Sequence, residues 1–173
     1  MAIATTKTDT ATRVQALTDE LSALLRPVLP CGEPLIVENR IAQTKSIHVA
    51  VIWDQWSDLF PQDRSKVILN AYAKVKRLRG SIITVAMGLT SEEAMRMGFL
   101  SYSIVTTRRK SDKASLDSLA KAMATAGGIV VKVGSATQLR FATLEQAENA
   151  YRDLSQKVPG PYWAIVQEQS LPE

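Results

Sequence analysis

The side chains best equipped for chemistry crowd into one stretch, HVAVIWDQWSDLFPQDRSKVI at residues 48 to 68, which holds the only histidine, two of the three tryptophans, and Asp54, Asp58 and Asp63. A histidine oriented by an aspartate would make a general base. If residues 48 to 54 are extended, His48 and Asp54 do stand on one face, because strand side chains alternate. At about 3.3 Å per residue, however, six residues place them roughly 20 Å apart, far outside hydrogen-bond reach. The stretch therefore reads as a strand running into a helix, with His48 at a strand edge and Trp53 and Trp56 as packing aromatics. One histidine and one cysteine cannot complete a tetrahedral zinc set of nitrogen and sulfur ligands. Neither phosphate cradle, GxxxxGK[ST] or GxGxxG, occurs. Of the carboxylate pairs, Glu92 with Glu93 falls in a helix-capping sequence and Asp54 with Asp58 beside a basic helix, so solvation or salt-bridging is the expected role. Cys31 has only Arg26 nearby in sequence to lower its pKa. The expectation is a protein with no catalytic residues, no metal and no cofactor.

Cations give the stronger pattern. Residues 64 to 80 contain Arg64, Lys66, Lys74, Lys76, Arg77 and Arg79 and no acid, a local excess larger than the +4 of the whole chain. On a helical wheel Lys66, Asn70, Lys74 and Arg77 lie within about 80° of one another, opposite an apolar face of Val67, Ile68, Ala71, Tyr72, Val75 and Leu78. A second basic cluster, Arg108, Arg109, Lys110 and Lys113, falls where YSIVTTR passes into the loop RKSDKAS. Lys66, Lys74, Lys76, Arg77 and Arg79 on the helix, with the four loop cations, are the candidate contacts to an anion.

These residues need elements to hold them. From residue 10 to 26 the apolar positions Val14, Leu17, Leu21, Leu24 and Val28 recur at three and four, one stripe of an amphipathic helix that Pro27 and Pro30 close. LIVENRIA and SIHVAVIW read as two strands of a hairpin turning near Gln43 to Lys45. A helix starts at Phe60, Pro61 and Gln62, with Pro61 where its missing N–H costs nothing and Asp63 complementing the dipole, and Gly80 as its C-cap. SIITVAM is a third strand, and Thr90 with Glu93 caps a short helix, SEEAMRMG. In the second half YSIVTTR is a strand. Ser115 caps a helix whose Leu116, Leu119, Ala120 and Met123 face inward and which Gly127 and Gly128 end. IVVKV and QLRFA are strands, Thr143 and Gln146 form a capping box before LEQAENAYRDL, and YWAIVQE is the last strand. The fold class is α+β: two small domains, α-β-β-α-β-α over 10–98 and β-α-β-β-α-β, a ferredoxin-like order, over 99–170, after a flexible 1–9.

The first half, by its order of elements and by the wording xxVxVIWDxW…xxRSxxI…GxIxxxxMGLTSEEA, resembles the BolA family, a variant of the type II KH fold. The resemblance covers about half the chain and implies the fold. Of the family's Arg-His-Arg triplet only Arg64 is matched, with Ser65 and Lys66 at the other two places. The family histidine at the start of the third strand is replaced by the run Ser81, Ile82, Ile83, so Arg64 alone is carried over, as a further nucleic-acid contact. In the second half LRFATLEQAENAYRDL resembles the third strand and second helix of an RNA-recognition motif. That alignment puts Ala136 and Gln138 where the base-stacking aromatics belong, and only the core-facing Phe141 matches.

At 173 residues and 46% hydrophobic content the chain can build one ordinary domain or two very small ones. Its most apolar run, residues 47 to 53, is far short of the roughly 20 residues that span a bilayer. The polar start MAIATTKTDT carries no secretory pattern and one cysteine allows no internal disulfide, so a cytoplasmic address is expected. The expected function is non-enzymatic binding of an anionic partner, a nucleic acid or an acidic protein surface, through the basic helix and loop, with no membrane contact. The alternatives are an assembly or scaffold protein, for instance a homodimer, that works through its sheet faces, and a regulator that binds a small metabolite.

Overall fold

The computed structural model of the chain describes residues 7–25, 33–44, 46–75, 82–107, 115–133 and 136–167. It is an α+β protein with two separate sheets, and it divides into two compact units, one containing the first helix and Ile36–Thr90, the other everything from Ser91 onward together with the short segment that ends at Leu35.

In the first unit, helix α1 (Lys7–Leu24) is followed by strands β1 (Leu35–Ile41) and β2 (Ser46–Ile52), a 3-10 turn (Asp54–Trp56), helix α2 (Pro61–Lys74) and strand β3 (Ile82–Leu89). The strand order is β1-β2-β3, with β2 and β3 parallel in a mixed sheet. Leu17, Leu21 and Leu25 recur every fourth residue and are buried, so α1 lays one stripe beside α2 into the core that both share with the sheet. Thr18, buried on the same helix, returns its hydroxyl to the Val14 carbonyl at 2.7 Å, the usual way to satisfy a hydroxyl inside a helix. From α2, Val67, Ile68, Ala71 and Tyr72 enter the same core as Val49, Val51 and both tryptophans. The rings of Trp53 and Trp56 meet edge to face at 5.2 Å, and the Trp56 indole donates to the Val51 carbonyl at 2.9 Å.

The wheel expected a helix continuing to Gly80. Instead α2 ends at Lys74, and Val75 is already extended at φ −87°, ψ 111°. Leu78 and the cations beyond it lie outside the described residues.

The second unit runs α3 (Ser91–Arg96), β4 (Tyr102–Thr106), α4 (Leu116–Thr125), β5 (Ile129–Val133), β6 (Ala136–Phe141), α5 (Leu144–Lys157) and β7 (Trp163–Gln167). Its four strands are antiparallel in the order β5-β6-β4-β7, which is the ferredoxin-like split β-α-β arrangement. The caps of α4 and α5 are where the sequence put them. The Ser115 hydroxyl accepts from the Ser118 amide, and Thr143 and Gln146 form a complete capping box. Gly127 and Gly128 take φ of 80° and 88° after α4, which an L side chain rarely adopts. A Cβ at Gly128 would also sit 2.5 Å from the Phe141 ring. One inward position differs from expectation: Ala120 is exposed, and the buried stripe of α4 is Leu119, Ala122, Met123 and Ala126.

Among the described residues, no helix is long and apolar enough to cross a membrane.

Candidate functional site

The opening stretch is a strand turning into a helix. His48 is half-buried in β2, where the register sets it beside Val85, and Asp54 is exposed at the start of the 3-10 turn, off the strand. Cys31 lies outside the described residues. Among the described residues no group of three or more His, Cys, Asp or Glu side chains could hold a metal.

The two faces of α2 carry what remains. Its buried face follows from Val67, Ile68, Ala71 and Tyr72, and opposite them Lys66, Asn70 and Lys74 are exposed. Over eight residues this polar face spans about 12 Å of helix axis. Each lysine is held by one carboxylate. Lys66 pairs with Asp63 at 2.8 Å, three residues back, and Lys74 crosses to Asp19 on α1 at 2.6 Å. The Lys74 ammonium, then the Gln15 amide at 3.1 Å, hold the Asp19 carboxyl below its ordinary value of 3.8. Such pairs, exposed to water, are weak and salt-screened, so an anion can displace the carboxylate.

Arg64 does not belong to this face. It is buried at 6% exposure, with Nε donating to the Leu59 carbonyl at 2.9 Å and Nη1 to the Gly88 carbonyl at 3.2 Å. Ser65 beside it donates to the Ala86 carbonyl at 2.8 Å. Both side chains tie α2 to β3, and Gly88 permits the approach, because a Cβ there would fall 2.7 Å from Arg64 Cβ. A signal for this burial existed in the sequence. Arg64 precedes Val67 and Ile68 by three and four residues and so continues the apolar stripe. Lys76, Arg77 and Arg79, and the loop residues Arg108, Arg109, Lys110 and Lys113, lie outside the described residues.

The sheet of the second unit presents a different surface. Tyr102 pairs with Phe141, Ile104 with Leu139, and Thr106 with Trp163, so every aromatic of the four strands stands on the face that Ile104 and Leu139 bury. The opposite face carries Ser103, Val105, Ala136, Gln138, Arg140, Ala164 and Val166, without a ring on which a base could stack.

Further contacts were not readable from the sequence. Tyr72 Oη donates to Glu38 Oε1 at 2.8 Å, and the Arg13 guanidinium donates to Gln55 Oε1 at 2.8 Å. Compared with known proteins, the chain matches no family model, no curated protein and no solved structure.

Proposed function

We propose that the protein is a non-enzymatic binding protein for an anionic partner, a nucleic acid in the first place, and that the exposed polar face of α2 is part of the contact surface. The observation that carries this reading is the row Lys66, Asn70, Lys74, exposed along one face of a helix whose opposite face is fixed in the core. Two ammonium groups about 12 Å apart along the axis can reach phosphates of one strand, which advance about 3.4 Å per nucleotide. The amide of Asn70 between them can donate to a phosphate oxygen. The sequence adds Lys76, Arg77 and Arg79 immediately after this helix and Arg108, Arg109, Lys110 and Lys113 later in the chain. The finer reading of the first unit as BolA-like or type II KH-like belongs to the same proposal. Its support is the order helix, hairpin, helix, strand with a parallel β2–β3 pair.

The test is anisotropy of labelled mixed oligonucleotides, single-stranded and duplex, titrated with the full chain at rising salt. Binding at about 50 mM salt that weakens steeply by about 200 mM is the expected result. Absence of binding at the lower salt overturns the reading.

A second reading, assembly through a sheet face, is favoured by one observation. On the ring-free face of the second unit Val133 and Val166 are 48% and 41% exposed, with exposed Ala136 on the same face. If that face pairs subunits, Val166→Lys lowers the sedimenting mass of the folded protein. An unchanged mass counts against it.

A further inference from the structure

We propose that Arg64 and Ser65 guard an edge: α2 fills the outer hydrogen-bonding side of β3 with side chains, so that this strand does not recruit a strand from a second copy of the chain. Among the described residues β3 ends its sheet in the order β1-β2-β3, and its sequence IITVAMGL holds no charge and no proline. Ile82 is 62% and Val85 38% exposed. An uncharged apolar edge strand is a template for pairing with another chain unless something blocks it.

Carbonyl direction locates the block. Leu89 O accepts from the Trp53 amide at 2.9 Å, on the β2 side. Successive carbonyls of a strand point to opposite edges, so those of Gly88 and Ala86 point outward. These two are the ones that Arg64 and Ser65 occupy, at 3.2 Å and 2.8 Å. The Ser65 hydroxyl also lies 3.1 Å from the Pro61 carbonyl, and its single proton serves the nearer acceptor. Arg64 is fixed in place by its second donor on Leu59 O. Upstream, the register passes from Ile47↔Ile83 to His48↔Val85, which leaves Thr84 as an extra residue in β3. That bulge interrupts the ladder a visiting strand would need, so the guard covers the edge on both sides of Val85.

The experiment compares the parent chain with Ser65→Ala, Arg64→Met and the double variant, each checked for folding by circular dichroism, by sedimentation equilibrium and by amide exchange over β3. The freed Ala86 carbonyl offers a visiting strand about one net hydrogen bond, so self-association tightens about five- to tenfold in Ser65→Ala and no less in the double variant, with new protection in β3. Adding Thr84→Lys to the double variant places a charge on the edge and returns association to the parent level. If Arg64→Met does not fold, Ser65→Ala alone decides by the same readout. Folded variants that sediment as the parent does, or association that Thr84→Lys leaves intact, overturn the proposal.

Discussion

Helices α2 and α5 are both 14 residues long and both end on a lysine, yet they are held by different means. α5 closes both its ends with residues close in sequence. Its first turn is closed by Thr143 and Gln146, three residues apart, and its last by Lys157 on Asp153, four apart, although Lys157 also reaches Thr125 on α4. α2 starts from Phe60, which is 71% exposed and makes no side-chain cap. Pro61 contributes only a preset φ. What secures α2 comes from far away in the chain: Arg64 to Gly88, Ser65 to Ala86, Tyr72 to Glu38 and Lys74 to Asp19, separations of 24, 21, 34 and 55 residues. A helix closed by its own neighbours can lose a tie and keep its ends. A helix without a cap depends on the sheet beneath it, and its polar residues divide between anchoring and exposure.

The bed under α2 gives the largest expected effect. Trp56 is fully buried, touches the strand at Gly88 and donates to Val51 O, so Trp56→Ala costs about 3 to 5 kcal/mol in urea denaturation. A midpoint close to that of the parent would remove the sheet as the support of α2. Next comes the anchor itself. Arg64→Met keeps the aliphatic stem but leaves two buried carbonyls short of a charged donor, a loss of about 1.5 to 3 kcal/mol. The matched change in α5, Thr143→Ala, removes a cap and costs about 1 kcal/mol. The contrast between the helices fails if the cap proves dearer than the anchor, measured on both variants under one set of conditions.

The smallest effect is the clasp of Lys74 on Asp19. The Asp19 carboxyl is held below its unfolded value, so its contribution is present above the ordinary aspartate range and is lost as pH falls through the depressed folded value. Asp19→Asn therefore narrows the difference in stability between neutral pH and pH below about 4, and leaves the acid end nearly unchanged. Parallel pH profiles for the two proteins would show that the clasp does not reach the folding equilibrium.

The same division explains what could be read in advance. Caps and glycine stops involve residues within a few positions of one another, so Ser115, Thr143 with Gln146, and Gly127 with Gly128 stood out, and with them the order of the second unit. Periodicity likewise marked the buried face of α2 and the exposed Lys66, Asn70 and Lys74. The end of α2 was not legible. Nothing around Val75 is a cap or a breaker, so the sequence marks no stop there, yet the chain becomes extended at that residue. Ala120 was misplaced because alanines on both sides of α4 blur the phase that Leu119 and Met123 define. Arg64 was drawn into the basic face by its charge, although its spacing belonged to the core. Its partner Gly88 is a carbonyl that no motif announces.

The central claim is that α2 separates these tasks, with Arg64 and Ser65 anchoring and Lys66 and Lys74 meeting an anion. It is tested most directly by Lys66→Gln with Lys74→Gln, read as the slope of log K against log salt for a labelled oligonucleotide. Loss of two phosphate contacts flattens that slope by about 1.4 for a single strand or 1.8 for a duplex. The urea midpoint stays where it was, since exposed charges contribute little to folding. A slope that the double substitution leaves unchanged, on a protein that does bind, would contradict the claim and leave α2 with its anchoring role alone.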